Sequence, residues 1–170
     1  MSRRNFITKD LYSSKYKKRI VKPKKGKTMA LWKLPVDIQD LNNHSKNTAV
    51  EHLGIEVTEV GEDFVRGTMP VDSRTHQPMG LLHGGVSCVL AETLGSTAAS
   101  LACPEGFFPV GIEINASHLR GVRKGIVEGI AKPVRVGRSL QVWQIDISDE
   151  NGRLVCSSRL SCSVQKIPAS

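Results

Sequence analysis

Between Gly84 and Leu101 the apolar residues Val86, Val89, Leu90, Leu94, Ala98 and Leu101 recur at helical spacing. Gly95, Ser96, Ala98, Ala99 and Ser100 keep that cylinder thin, so the pattern predicts a long buried helix. Before it, Asp37 to Leu53 carries Ile38, Leu41, Ala49, Val50 and Leu53 at the same period, broken by "NNHSKNT", which predicts one or two short helices ending at Gly54. "IEVTEV" and "FVRGTMPV" flank "GED" and read as a strand hairpin, followed by the polar loop "DSRTHQP". After the long helix come four strand-like segments, "PVGIEINASHL", "GIVEGIAKPVRVG", "SLQVWQIDISD" and "RLVCSSRLSCSVQ", the last two joined by an Asn-Gly turn. In the last segment Leu154, Cys156, Ser158, Leu160, Cys162 and Val164 share one face, the alternation of a sheet buried on one side. The predicted architecture is α+β, with the long helix laid against a curved antiparallel sheet.

A length of 170 residues suits one domain with a sizeable core. Charge divides the chain unevenly: residues 1–28 hold 11 Lys/Arg against the single acid Asp10, while residues 29–170 hold 13 Lys/Arg against 15 acids. The excess of positive charge therefore belongs to an N-terminal extension, 1–28, read as a solvated disordered tail ahead of a domain over 29–170. Its charge alone leaves open a nucleic-acid or anionic-membrane arm or an organelle-targeting peptide, and translation starting at Met29 is a further reading. "KKGKT" does not complete a phosphate-binding loop, because Val21 stands where that loop needs glycine. No apolar run approaches the roughly 20 residues of a membrane helix or forms a signal peptide, so the expected location is the cytoplasm. Cys88, Cys103, Cys156 and Cys162 lack the close paired spacing of a zinc site and are expected to be reduced and mostly buried.

Glu92 is a lone carboxylate on the apolar helix. Burying it ionised costs several kcal/mol unless it is paired, so it has a partner, a solvated cleft or a chemical task; an exposed flank is the bland alternative. The helix begins at "HGG", His83 to Gly85. Such a start directs free backbone N–H groups and the positive end of the helix dipole outward, with no side chain to keep an oxygen away, which is an oxyanion hole in outline. A serine-hydrolase elbow is missing, since "GVSCV" around Ser87 lacks its second glycine, and so are dinucleotide-binding glycines.

"MPVDSRTHQPMGLLHGGVSCVLAETLGSTAA", "VGIEINASHLR" and "KPVRVGRSLQVWQIDISDENGRLVCSSRLS" resemble the hotdog-fold acyl-CoA thioesterases. The branch they most resemble contains 1,4-dihydroxy-2-naphthoyl-CoA hydrolase of menaquinone synthesis and the proofreading thioesterase of enterobactin synthesis. The resemblance runs from about Met29 to Gln165 and rests on a Gln-x5-His-Gly-Gly…Glu-x3-Ser pattern. It implies a long central helix wrapped by a curved antiparallel sheet and hydrolysis of an aromatic or related acyl-CoA. The catalytic carboxylate then falls on Glu92, as nucleophile or general base, and the oxyanion donor on the Gly84 N–H. Gln77 and His83 match the residues that orient the thioester carbonyl, and Ser96 one that positions the carboxylate or water. Coenzyme A contacts fall on Gly111, His118, Arg120, Gly121 and the segment Arg135, Gly137, Arg138 and Ser139, and Met79 is placed near the acyl-pocket wall. The same resemblance implies no metal or cofactor, a homodimer that shares its active sites, and pairing of dimers into a homotetramer. An acyl carrier protein as thioester donor and a non-catalytic acyl-CoA-binding domain stay open as alternatives; no membrane or nucleic-acid partner is expected of the domain.

Overall fold

The computed structural model describes residues 31–168. The basic segment 1–28, and what was read into it, lies outside them. Asp37 caps helix α1 (Ile38–His44), its Oδ1 accepting from the N–H groups of Gln39 at 2.9 Å and Asp40 at 3.3 Å. Thr48 caps α2 (Ala49–His52) in the same way, and Gly54 takes up the left-handed φ of 69° that turns the chain into the first strand. Asn42, in the last turn of α1, clamps that helix to the strand: its side chain donates to Val57 O at 3.0 Å and accepts from Val57 N at 2.9 Å.

Strands β1 (Glu56–Val60) and β2 (Val65–Val71) form the expected hairpin. The long helix α3 (Gly84–Ala102) follows, and then β3 (Phe107–His118), β4 (Gly125–Val136), β5 (Leu140–Asp149) and β6 (Leu154–Lys166). All pairings are antiparallel, in the order β1-β2-β4-β5-β6-β3, so β3 crosses over to an edge. The sheet wraps α3, which buries Leu90, Ala91, Leu94, Gly95, Ala98 and Leu101 against it.

Small residues on the sheet set how closely the helix sits. Gly67 of β2 pairs with Gly129 of β4, and together they leave a socket for Leu94. A Cβ on Gly67 would stand 2.6 Å from Leu94 Cδ2, and one on Gly129 2.7 Å from Leu94 Cδ1. Leu94→Ala empties that socket and is expected to cost about 2–5 kcal/mol, measured as a lowered denaturant midpoint with an unchanged m-value.

The strand alternation of the last segment is largely as expected: Cys156, Ser158, Leu160 and Cys162 are buried, while Arg159 is exposed. Two expectations need correction. Leu154 is exposed although it shares the inward phase, because it opens the strand at the sheet margin. The long helix is buried on one side only; Val86 and Val89 are half-buried and Glu92 is exposed, because the chain's single sheet covers one face of the cylinder.

Gln141 and Trp143 are paired within the core. Trp143 Nε1 donates to Gln141 Oε1 at 3.0 Å, and Gln141 Nε2 reaches Ala99 O and Cys103 Sγ, both at 3.4 Å. Trp32 stacks on Trp143 with ring centroids 6.1 Å apart and donates to Gly61 O at 2.7 Å, which fixes the entry of the chain. All four cysteines are free; Cys88 is half-buried and the other three are buried. Burial pushes the Cys103 and Cys162 thiols up to about 11, so neither presents thiolate near neutral pH. Among the described residues no helix is long and apolar enough to cross a membrane.

Candidate active site

His83 is the N-cap of α3, in an extended conformation with φ −71° and ψ 128°. The Gly85 N–H donates to His83 Nδ1 at 2.9 Å. Nδ1 is therefore the acceptor, and in the neutral imidazole the proton resides on Nε2, which is free to donate away from the helix. Histidine is an uncommon cap, and here capping fixes the tautomer.

Behind the cap, the loop from Asp72 to Leu82 is held by its own hydrogen bonds. His83 N donates to Thr75 O at 2.9 Å, and the buried Thr75 hydroxyl lies 3.0 Å from Pro70 O and 3.2 Å from Asp72 O. Asp72 grips Arg74 at 2.6 Å, and the Arg74 hydrogen bonds hold the Asp72 carboxyl below its ordinary range. Gln77 N donates to Leu81 O at 2.8 Å, and Gly80 N to Gln77 O at 2.9 Å; Gly80 has φ 72°, a conformation that suits glycine. The Gln77 side-chain oxygen accepts from Met79 N, leaving its amide N–H groups available. His76 Nε2 donates to Arg123 O at 2.8 Å and Leu82 N to Val122 O at 2.7 Å, tying the loop to the chain beyond β3. Met79, at the loop tip, is 78% exposed and lines neither of the cavities described below.

At Gly84 two requirements for glycine coincide. Its N–H has no hydrogen-bond partner among the described residues, and a Cβ there would stand 2.8 Å from His118 Nε2. Gly84 lines a cavity of about 340 Å³ with Gln77, Ser87, His118, Arg120 and Gly121.

Glu92 lies elsewhere. It is exposed, and among the described residues it has neither a hydrogen bond nor an ion pair. It lines a second cavity, of about 430 Å³, with Ser96, Leu41, His44, Val50 and Val89. Gly111 of β3 leaves room for the carboxylate: a Cβ on it would stand 3.0 Å from Glu92 Oε1. Eight residues of α3 separate Gly84 from Glu92, about 12 Å along the axis.

The residues matched to coenzyme A contacts fall into two groups. His118, Arg120 and Gly121 border the Gly84 cavity, whereas Arg135 lies at the end of β4, opposite Val142 of β5, and Gly137, Arg138 and Ser139 form the β4–β5 turn, where Gly137 N donates to Leu140 O at 2.9 Å. That turn sits near the row of Gly111, through Ser139 O accepting from Val164 N at 3.0 Å. Gly111 and His118 are seven residues apart on β3, about 23 Å. One chain therefore keeps the two arginine groups at different ends of the sheet. Among the lining residues that sequence reasoning passes over are His44, inside the stretch read as a helix break, and Ser87, considered only as a failed hydrolase elbow. For Ser87 the helical phase relative to Gly84 was the available signal, whereas His44 stands on a different helix and no local pattern ties it to Glu92. No group of three His, Cys, Asp or Glu side chains suited to a metal occurs among the described residues.

A curved antiparallel sheet around one long helix, with an open helix N-terminus, defines a hotdog-fold thioesterase. The sequence profile of the Thioesterase superfamily matches residues 79–156. The proofreading thioesterase EntH of Cronobacter turicensis is 54% identical over 134 residues, 79% of this chain and 98% of that protein. A thioesterase of Haemophilus influenzae, known from a crystal structure, is 53% identical and superposes with a TM-score of 0.80 over 82% of this chain and 97% of its own. A glutamine-to-alanine variant of a thioesterase from Pseudomonas aeruginosa is 43% identical, with a TM-score of 0.79 over 81% and 99% of the two chains. The chain belongs to the Thioesterase superfamily and is a thioester hydrolase.

Proposed function

We propose that the chain hydrolyses the thioester of an aromatic acyl-CoA, such as 1,4-dihydroxy-2-naphthoyl-CoA, in an active site completed by a second copy of itself. The observation that carries this reading is a Gly84 N–H in one cavity and a Glu92 carboxylate in another, neither with a partner among the described residues. Hydrolysis needs both at one carbonyl. A two-fold that sets two α3 helices side by side brings the Gln77, His83 and Gly84 of one copy to the Glu92 and Ser96 of its partner, and two such dimers form a tetramer.

In that site the Gly84 N–H and the helix dipole polarise the thioester oxygen, with Gln77 and the His83 Nε2–H as further donors. As a general base, Glu92 takes a proton from water as its oxygen bonds to carbon; the C–S bond then breaks, and the proton passes to the departing thiolate. As a nucleophile, it forms an acyl anhydride that water cleaves to the same products. Ser96, one turn beyond, positions the carboxylate or the water. Arg120, Arg135 and Arg138 supply cations for the coenzyme A phosphates, drawn from both ends of the sheet across subunits.

Its relatives favour a second reading. EntH of Cronobacter turicensis is named a proofreading thioesterase, so the donor in this chain could equally be an acyl group on a carrier protein. Thiol release from benzoyl-, 1,4-dihydroxy-2-naphthoyl-, short-chain and long-chain acyl-CoA, and from an acyl carrier protein, separates the readings. Fastest release from the aromatic CoA esters, undiminished by chelator, is expected. Release from the carrier alone would favour the second reading, and release from none would leave a non-catalytic binder. A chain starting at Met29 is expected to keep full turnover in the same assay, because the residues placed in the site all follow it; its loss would give 1–28 a part in hydrolysis.

A further inference from the structure

The first turns of α3 carry a hydroxyl that the reading above does not use. Ser87 is 2% exposed, yet its Oγ has no hydrogen-bond partner among the described residues. Its neighbours on the helix behave differently: Thr93 Oγ1 donates to Val89 O at 2.7 Å, and Thr97 Oγ1 to Thr93 O at 2.8 Å. The equivalent acceptor for Ser87 is His83 O, which instead takes the N–H groups of Val86 at 2.9 Å and Ser87 at 3.1 Å. The Ser87 hydroxyl is not fully enclosed: it keeps a small solvent-accessible face, as a group lining a cavity does.

Ser87 lines the Gly84 cavity, together with Gln77 and His118. It lies three residues after Gly84, on the adjoining face of the same first turn. That cavity thus holds an unpaired backbone N–H at the positive end of a helix and an unpaired buried hydroxyl beside it. Both are donors awaiting one acceptor, and the dipole favours an acceptor that carries negative charge.

We infer that Ser87 Oγ is a second hydrogen-bond donor to the thioester carbonyl oxygen, strengthening as that oxygen becomes the oxyanion of the tetrahedral intermediate. This rests on the proposed hydrolysis at Gly84. The hydroxyl keeps its proton throughout; it donates a hydrogen bond and no covalent bond to Ser87 forms. Without a protein partner it is a donor preorganised for the transition state.

Ser87→Ala tests this through three measurements. Turnover of benzoyl-CoA, or of the best substrate in the panel, is expected to fall roughly 10- to 100-fold in kcat with little change in KM, the loss of a donor to a charged acceptor. The melting temperature is expected to stay level, since the hydroxyl has no hydrogen bond to another described residue to lose. The third measurement does not need turnover: phenacyl-CoA is a ketone that keeps the carbonyl and cannot be hydrolysed. Labelled with ¹³C at that carbonyl, its infrared stretch in the wild-type protein is expected below the value in water, and to move back toward it in Ser87→Ala. Turnover within twofold of wild type together with an unmoved stretch would overturn the inference. So would lost turnover with a lowered melting temperature and an unmoved stretch, which would make Ser87 a packing residue. If the wild type hydrolyses no CoA ester, the proposed function fails, and the stretch alone decides whether Ser87 reaches a bound carbonyl.

Discussion

Glu92→Gln is expected to give a folded protein whose thioester turnover is at least about a hundredfold below wild type. The amide keeps the shape of the carboxylate over Gly111, where the open Cα leaves room for it, but it can neither accept a proton from water nor attack the carbonyl. Stability should change by no more than about 0.5 kcal/mol, because Glu92 is exposed and has no hydrogen bond or ion pair to lose among the described residues. Thiol-release kinetics and a melting curve on the same sample make the test. Near-normal turnover would mean that Glu92 is only a solvated residue on the uncovered face of α3.

The second expectation concerns where the partner of Glu92 comes from. His83→Asn keeps an N-cap acceptor for the Gly85 N–H, since asparagine is among the best capping residues, while removing the Nε2 donor. This variant and Glu92→Gln should each be strongly impaired and each fold. Unfolded together and refolded as an equal mixture, they are expected to recover about a quarter of wild-type activity: half the dimers are mixed, and each mixed dimer holds one intact site of two. His83 and Glu92 are nine residues apart, and at about 100° per residue they face opposite sides of the helix, so one chain cannot aim both at one thioester. The two separate cavities, one holding Gly84 and the other Glu92, agree with that phase argument. Labelled chains establish that mixing has occurred. Mixed dimers no more active than either parent, or a chain monomeric by sedimentation yet active, would place both residues in the service of a single chain.

Much of the fold is legible along the chain because its signals are local. The 3.6-residue period over Gly84 to Leu101 gave the long helix to within one residue of its end at Ala102. Period-two alternation gave the buried side of β6, although Val155 is buried from the opposite phase. Its carbonyl takes the N–H groups of Leu119 and Arg120 as the chain leaves β3, a long-range contact that no alternation announces. The candidate site was legible as a motif, with His83-Gly84-Gly85 at a helix start and Glu92 beyond it. Ser87 was not, because a serine inside a helix carries no mark of whether its hydroxyl is paired.

Residue order by itself therefore determined the elements, most of their apolar faces and the glycine-rich start of α3 at His83-Gly84-Gly85, since each depends on neighbours within a turn or a strand pair. Tertiary structure alone decided what those faces meet. The register of β2 on β4 set Gly67 opposite Gly129 and made the socket for Leu94; the crossing of β3 to the sheet edge brought Gly111 under Glu92 and His118 against Gly84. These contacts join residues roughly twenty to sixty positions apart, and the pairing energy that fixes them is spread over whole strands, so no short stretch of sequence encodes them.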